Sequence, residues 1–166
     1  KAGSGVARTP EDKMTRTMML ETYRDIHQVI REIDPHRIIV TGDSISRAQA
    51  WNNVNNDAWK QDSREEWLER FSDDTPSEFS VVSFHLYAEA DKKYFKGENV
   101  SLEEVVQTIA RSCEIQKKPI WCGELGMPGT DEEAMIMHSR MMQSIEFNNI
   151  AISAIWNFVP EGSYQK

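Results

Sequence analysis

Stretches of helical periodicity alternate four times along the chain with short β-branched or apolar runs, and three of those runs are almost continuously apolar. This pattern predicts an α/β fold built on a parallel sheet covered on both faces. The runs begin at Arg37, Ser80, Pro119 and Ala151, spaced by roughly 30–45 residues, which leaves room for one crossover helix in each connection. Two architectures satisfy this spacing. One is a small open parallel sheet with helices on both faces; the other is part of a (β/α)8 barrel, which needs about 250 residues when complete. Periodicity does not choose between them, and 166 residues suffice for one domain with a core but not for two ordinary ones.

The elements follow in order. Between Met14 and Ile33, Met14, Met18, Ile26, Val29, Ile30 and Ile33 recur at the three- and four-residue steps of an amphipathic helix, which the Asp34-Pro35 pair ends. Arg37-Ile38-Ile39-Val40-Thr41 is β-branched, closed by Gly42-Asp43, and predicts the first strand. Asp62 to Phe71 is a charged helix with Trp67, Leu68 and Phe71 packed on one side, and Ser80 to Tyr87 is the second strand. Ser101 with Glu104 three residues on has the form of a capping box before a helix from Leu102 to Gln116. Pro119 to Glu124 is the third strand, Asp131 to Phe147 the fourth helix and Ala151 to Trp156 the fourth strand, with methionines at helical spacing expected as core filler.

Composition narrows the functional classes. Nineteen Lys and Arg against 27 Asp and Glu give a net charge of −8, which disfavours a surface that tracks nucleic-acid phosphates. No run is long and apolar enough for a membrane span, and Lys1-Ala2-Gly3-Ser4-Gly5 lacks the apolar segment of a signal peptide. The two cysteines, Cys113 and Cys122, fit neither zinc-ligand spacing nor a disulfide framework and are expected as buried thiols. His27, His36, His85 and His138 stand singly, so no metal is expected, and no phosphate loop, dinucleotide fingerprint or nucleophile elbow occurs. No cofactor is implied.

Polar and aromatic residues collect where the strands end, the rim that carries ligands in both architectures. The first strand ends in Gly42-Asp43-Ser44 with Arg47 close by, the second in His85 and Tyr87, the third in Glu124-Leu125-Gly126 and the fourth in Trp156-Asn157. Glu124 follows an apolar run, a position where a carboxylate loses part of its hydration and so suggests function, with helix capping as the plainer alternative. His85 and Tyr87 lie two apart and share a strand face, suited to orienting a carboxylate or to packing as a satisfied pair. Trp51, Asn52, Asn53, Asn55, Asn56 and Trp59 alternate flat apolar faces with amides, a mixture that fits a polyhydroxylated ligand or an ordinary solvated turn. Tyr94 and Phe95 admit the same two readings.

Taken in order, Asp34-Pro35-x-Arg37, Ser83-Phe84-His85-Leu86-Tyr87, Pro119-Ile120-Trp121-Cys122-Gly123-Glu124-Leu125-Gly126 and Trp156-Asn157 resemble the second half of cellulase-like glycoside hydrolases, the family 5 type of retaining (β/α)8 enzymes. The resemblance implies that residues 1–166 form one unit, the carboxyl-terminal half of a catalytic barrel with about strands five to eight. It makes Glu124 the nucleophile that forms a covalent glycosyl-enzyme, Tyr87 the residue that positions it and His85 a sugar contact. Trp156 becomes a sugar platform, and Asn157, Asp43, Arg47, Trp51 and Trp59 are candidates for substrate binding.

The general acid of such enzymes is the Glu of an Asn-Glu pair ending strand four. This sequence has no Asn-Glu, and Asn56-Asp57 is misplaced. Glu98 and Glu161, on rim loops, are the substitutes that position allows. The expected partners are a β-linked oligo- or polysaccharide and either a missing amino-terminal half-barrel or a second copy. A secreted or periplasmic location would suit polysaccharide breakdown. The alternatives are a noncatalytic carbohydrate-binding or interaction module derived from such a barrel and, more remotely, an open-sheet enzyme using Glu124 as a general base.

Overall fold

In the computed structural model, residues 9, 14–87, 94–129 and 131–156 are described. The chain divides into two units, Lys1–Arg37 and Ile38–Lys166. The first is built on α1 (Arg16–Ile33), whose amino terminus is capped by Thr15, the side chain accepting from the Met18 amide. The helix stops where expected. Asp34 ends it, and its carboxylate accepts from the His36 and Arg37 amides and the Arg37 guanidinium, bonds that hold its pKa below the usual carboxylate value.

The second unit contains α2 (Ala50–Asn56), α3 (Arg64–Asp74), β1 (Val82–Tyr87), α4 (Leu102–Gln116), β2 (Ile120–Gly126), α5 (Glu132–Phe147) and β3 (Ile152–Ile155). The strands form one sheet in the order β1-β2-β3, with both pairings parallel. Its core joins Val82, Phe84 and Leu86 of β1, Cys122 and Leu125 of β2, Val105, Val106 and Ile109 of α4, and Met141 and Ile145 of α5. Trp67 stacks on Phe71 at 5.2 Å between ring centroids and meets Tyr94 and Phe95 edge-on, so the aromatic cluster ties α3 to the segment after β1. Both capping boxes, Ser63 with Glu66 and Ser101 with Glu104, are formed, which explains why α3 and α4 start where they do. Cys113 and Cys122 are buried free thiols, as expected.

Three expectations change. Arg37–Thr41 joins no ladder, so the described sheet has three strands rather than four. β-branched residues favour a pleated surface but need a partner backbone. Here the segment meets β1 through side chains, Thr41 Oγ1 lying 3.4 Å from Ser83 Oγ, and Gly42 at φ +74° then turns the chain.

The asparagine-rich stretch expected as a loop forms the short helix α2 instead. The cause is remote in sequence: the buried Asp62 carboxylate accepts from the Trp51 and Asn52 amides at 2.8 and 2.9 Å, satisfying donors that a helix amino terminus leaves open.

The methionines are only in part core filler: Met14, Met18, Met135 and Met142 are exposed, whereas Met141 is fully buried and Met127 and Met137 pack against the core. Along α1, Ile26, Val29 and Ile33 are likewise exposed while Leu20 is buried.

Candidate active site

β1 and β2 set the site through an irregular pairing. From Val82 to Phe84 the partners run in step with Ile120 to Cys122, and then His85 pairs with Glu124, so Gly123 is an extra residue in β2. The pairing with β3 shows the same break, Cys122 opposite Ser153 and Leu125 opposite Ile155. A bulge of one residue reverses the alternation of everything that follows. Without it Glu124 would pair with Leu86, which points into the core. With it Glu124 pairs with His85, on the face shared by Ser83, His85 and Tyr87, and Leu125 takes the core position beside Leu86, where it is fully buried.

The carboxylate is held on that face from two directions. The Tyr87 hydroxyl donates to Glu124 Oε2, and His85 Nδ1 lies 3.3 Å from the same oxygen. The Glu124 side chain is 25% exposed, enough to be reached by a ligand while still shielded by its neighbours. Cys122 donates its thiol to the Glu124 carbonyl, and burial pushes that thiol up to about 12, so it is a neutral donor rather than a nucleophile.

A cavity of about 400 Å³ adjoins this pair and is lined by Ser44, Arg47, Gln49, His85, Tyr87 and Tyr94. Its wall is fixed by the Ser46 carbonyl, which accepts from Trp67 Nε1 at 2.9 Å and from the Tyr94 hydroxyl. Burial raises the Tyr94 phenol well above its ordinary value, so it stays protonated as that donor.

The structure thus brings together Glu124, Tyr87, His85 and Arg47. Trp156 follows β3 with its side chain 57% exposed, tethered by its amide donating to the Leu125 carbonyl at 2.8 Å. Gly126 permits this approach, since a Cβ there would sit 2.4 Å from the Trp156 carbonyl oxygen.

Asp43 is half-buried ahead of the cavity, and Asn157 lies outside the described residues. Trp51 and Trp59 do not line the cavity; Trp51 is half-buried in α2 and Trp59 is exposed beyond it. The asparagines of α2 are partly committed within the fold, Asn52 bonding the Asp62 carboxylate and Asn56 bonding Asn52. Glu98 forms an ion pair with Arg64 at 2.6 Å, and Glu161 is outside the described residues. Sequence reasoning missed Gln49 as a lining residue and Asp62 as the buried support of the adjoining segment, because neither carries a local signal. Among the described residues no cluster of His, Cys, Asp and Glu has the form of a metal site, and no helix is long and apolar enough to cross a membrane.

Parallel strands joined by helices, with a carboxylate delivered to the strand ends beside a cavity, define part of an α/β barrel with a rim site. The cellulase model of glycosyl hydrolase family 5 matches residues 7–162, and the chain belongs to that family. Its fold is similar to that of an endo-1,4-beta-mannanase from Rhizomucor miehei, with a TM-score of 0.58 and 21% identity over 89% of this chain and 39% of that one. An endo-beta-1,4-mannanase from Thermotoga petrophila matches with a TM-score of 0.56 and 14% identity, over 89% and 33%. An endo-beta-1,4-glucanase from Xanthomonas axonopodis pv. citri matches with a TM-score of 0.55 and 16% identity, over 92% and 48%. The chain therefore spans less than half the length of each of these structures, and its architecture is a partial (β/α)8 barrel. No curated protein matches it.

Proposed function

We propose that residues 1–166 are the carboxyl-terminal half of a glycoside hydrolase barrel and supply the nucleophile of a retaining β-glycosidase. One observation carries this reading: Glu124 ends a parallel strand with one carboxylate oxygen bonded by Tyr87 and close to His85, and both of those partners line an open cavity. In the first step Glu124 attacks the anomeric carbon as the glycosidic C–O bond breaks, and the leaving oxygen takes a proton from a general acid. Water then attacks the glycosyl-enzyme and frees Glu124. Tyr87 fixes the attacking oxygen, His85 and Arg47 contact the bound sugar, Trp156 forms a platform beneath it, and Asn157 is a further candidate for substrate binding. Asp43, Trp51 and Trp59 extend the binding surface.

The acid comes from outside this sequence, as the lack of any Asn-Glu pair indicates. The substrate is a β-linked glucan or mannan-like polysaccharide. The exposed Ile152 and Ile155 on β3 and Ile136 and Phe147 on α5 support docking of an amino-terminal half-barrel or a second copy, since apolar surface of this kind is otherwise solvated at a cost.

An activated 2-deoxy-2-fluoro β-glycoside with a dinitrophenolate leaving group tests the nucleophile without needing the acid. Mass spectrometry is expected to find the glycosyl adduct on Glu124 and none in Glu124→Gln. Labelling of another residue, or equal labelling of the variant, overturns the assignment. A second reading, a carbohydrate-binding module without turnover, is favoured by the same missing acid together with the exposed indoles of Trp59 and Trp156. It predicts saccharide-dependent quenching of Trp fluorescence with no adduct.

A further inference from the structure

Gly123 has no role in the reading above, yet it is the extra residue of β2 that faces Glu124 toward His85. Its φ does not fall in the left-handed region, so conformational freedom does not account for a glycine there. Space does. A Cβ at this position would stand 3.2 Å from His85 Nε2 and 3.3 Å from His85 Cδ2, closer than side chains ordinarily pack, and its next neighbour is the Phe84 carbonyl oxygen at 3.9 Å. The imidazole therefore lies across the bare backbone of the bulge on one edge while Nδ1 reaches Glu124 on the other.

We infer that Gly123 is a positioning residue of the site: absorbed as a bulge it leaves Glu124 on the face of His85 and Tyr87, and as a glycine it seats the His85 ring against that carboxylate. This deepens the role proposed for Glu124 and rests on that reading for its functional meaning, but the geometry it describes is independent of any sugar. The Glu124 carboxylate approaches the imidazole, the Tyr87 hydroxyl on the same strand face also bonds Glu124, and Arg47 and Tyr94 line the same cavity as the ring.

The test is a double-mutant cycle on the full chain with two readouts. In thermal unfolding, Gly123→Ala is expected to lower Tm by roughly 3–10 °C as an overpacked side chain. The same substitution in His85→Ala is expected to cost almost nothing, because the only crowding atoms are gone. In NMR spectra at a fixed pH, Glu124→Gln is expected to move the His85 ring resonances, and in the Gly123→Ala background that shift is expected to fall to half or less.

An equal Tm loss with and without His85 overturns the seating, as does an unchanged Glu124-dependent shift. If Gly123→Ala alone does not fold, recovery of a folded protein in the double variant still supports the inference and failure to recover still overturns it. An adduct found elsewhere than Glu124 would overturn the nucleophile and leave this packing result standing, so the two failures are distinguishable.

Discussion

In the proposed reaction, Tyr87 is the residue that bears most directly on Glu124. It is the hydroxyl donor to the carboxylate, bonded to the same oxygen that His85 approaches. Removing one preorganised donor from a charged group in a shielded site costs roughly 10- to 1000-fold in rate. Tyr87→Phe is therefore expected to slow adduct formation on Glu124 by about that range, measured as a mass-spectrometric time course with the activated fluoro-glycoside, while circular dichroism stays unchanged. A labelling rate equal to wild type would remove Tyr87 from the site. Burial pushes both cysteine thiols up to about 12 from an ordinary 9, so the charged form is disfavoured in the folded chain. At pH 8 neither is expected to react with a thiol reagent until denaturant is added. The unfolded thiols lose protons above about pH 9 while the folded ones keep theirs, so these two residues make stability fall as pH rises between 9 and 12.

Elements meet at glycines and at one buried acid. Gly126→Ala places a methyl group against the Trp156 carbonyl, a backbone atom that cannot swing aside, so β2 and β3 must separate. A loss of about 1–3 kcal/mol is expected, with faster amide exchange at Trp156 than at residues of α4; unchanged protection at Trp156 would contradict the close approach. Asp62→Ala is expected to unfold α2 locally, lowering stability by about 2–3 kcal/mol, since the Trp51 and Asn52 amides lose a charged acceptor. Much at this scale was legible in the sequence. The Leu102–Gln116 helix announced itself by its capping box, and the strands at Ser80, Pro119 and Ala151 by apolar runs, because both signals are local.

What was not legible depends on distant partners. Arg37–Thr41 has a strand's composition but gains no ladder, and α2 exists because a carboxylate ten residues away closes its amino terminus. The site follows the same division. Glu124, His85 and Tyr87 could be picked out by spacing on their strands. Tyr94 was open to a ligand or a packing reading, and Gln49 could not be picked out at all, since the Ser46 carbonyl that anchors this wall lies in a segment of no regular structure.

For the molecule as a whole, the sheet ends in a strand whose side chains are mostly open to solvent. Ile152 and Ile155 are 57% and 59% exposed, and Trp156 continues the patch. A parallel strand in a finished barrel is covered on both faces and paired on both edges, so the isolated chain is expected to associate. Sedimentation velocity across a range of concentrations is expected to show species heavier than the 19.2 kDa chain, and Ile152→Asp with Ile155→Asp is expected to dissolve them. A wild-type chain that stays monomeric throughout would count against this surface as an interface.

The bulge at Gly123 makes the chemistry of this chain a matter of parity. Facing in β2 is counted residue by residue, and one surplus residue decides which of two neighbours, Glu124 or Leu125, is offered to solvent and which is sealed in the core. Were the two strands to run in step through Gly123, no functional group would be lost, yet Glu124 would fall opposite Leu86 and the destinations of an acid and a hydrocarbon would be exchanged. The register of the pairing, rather than side-chain identity alone, thus decides the site, and the same residues paired without the bulge would carry the glutamate to the wrong side of the sheet.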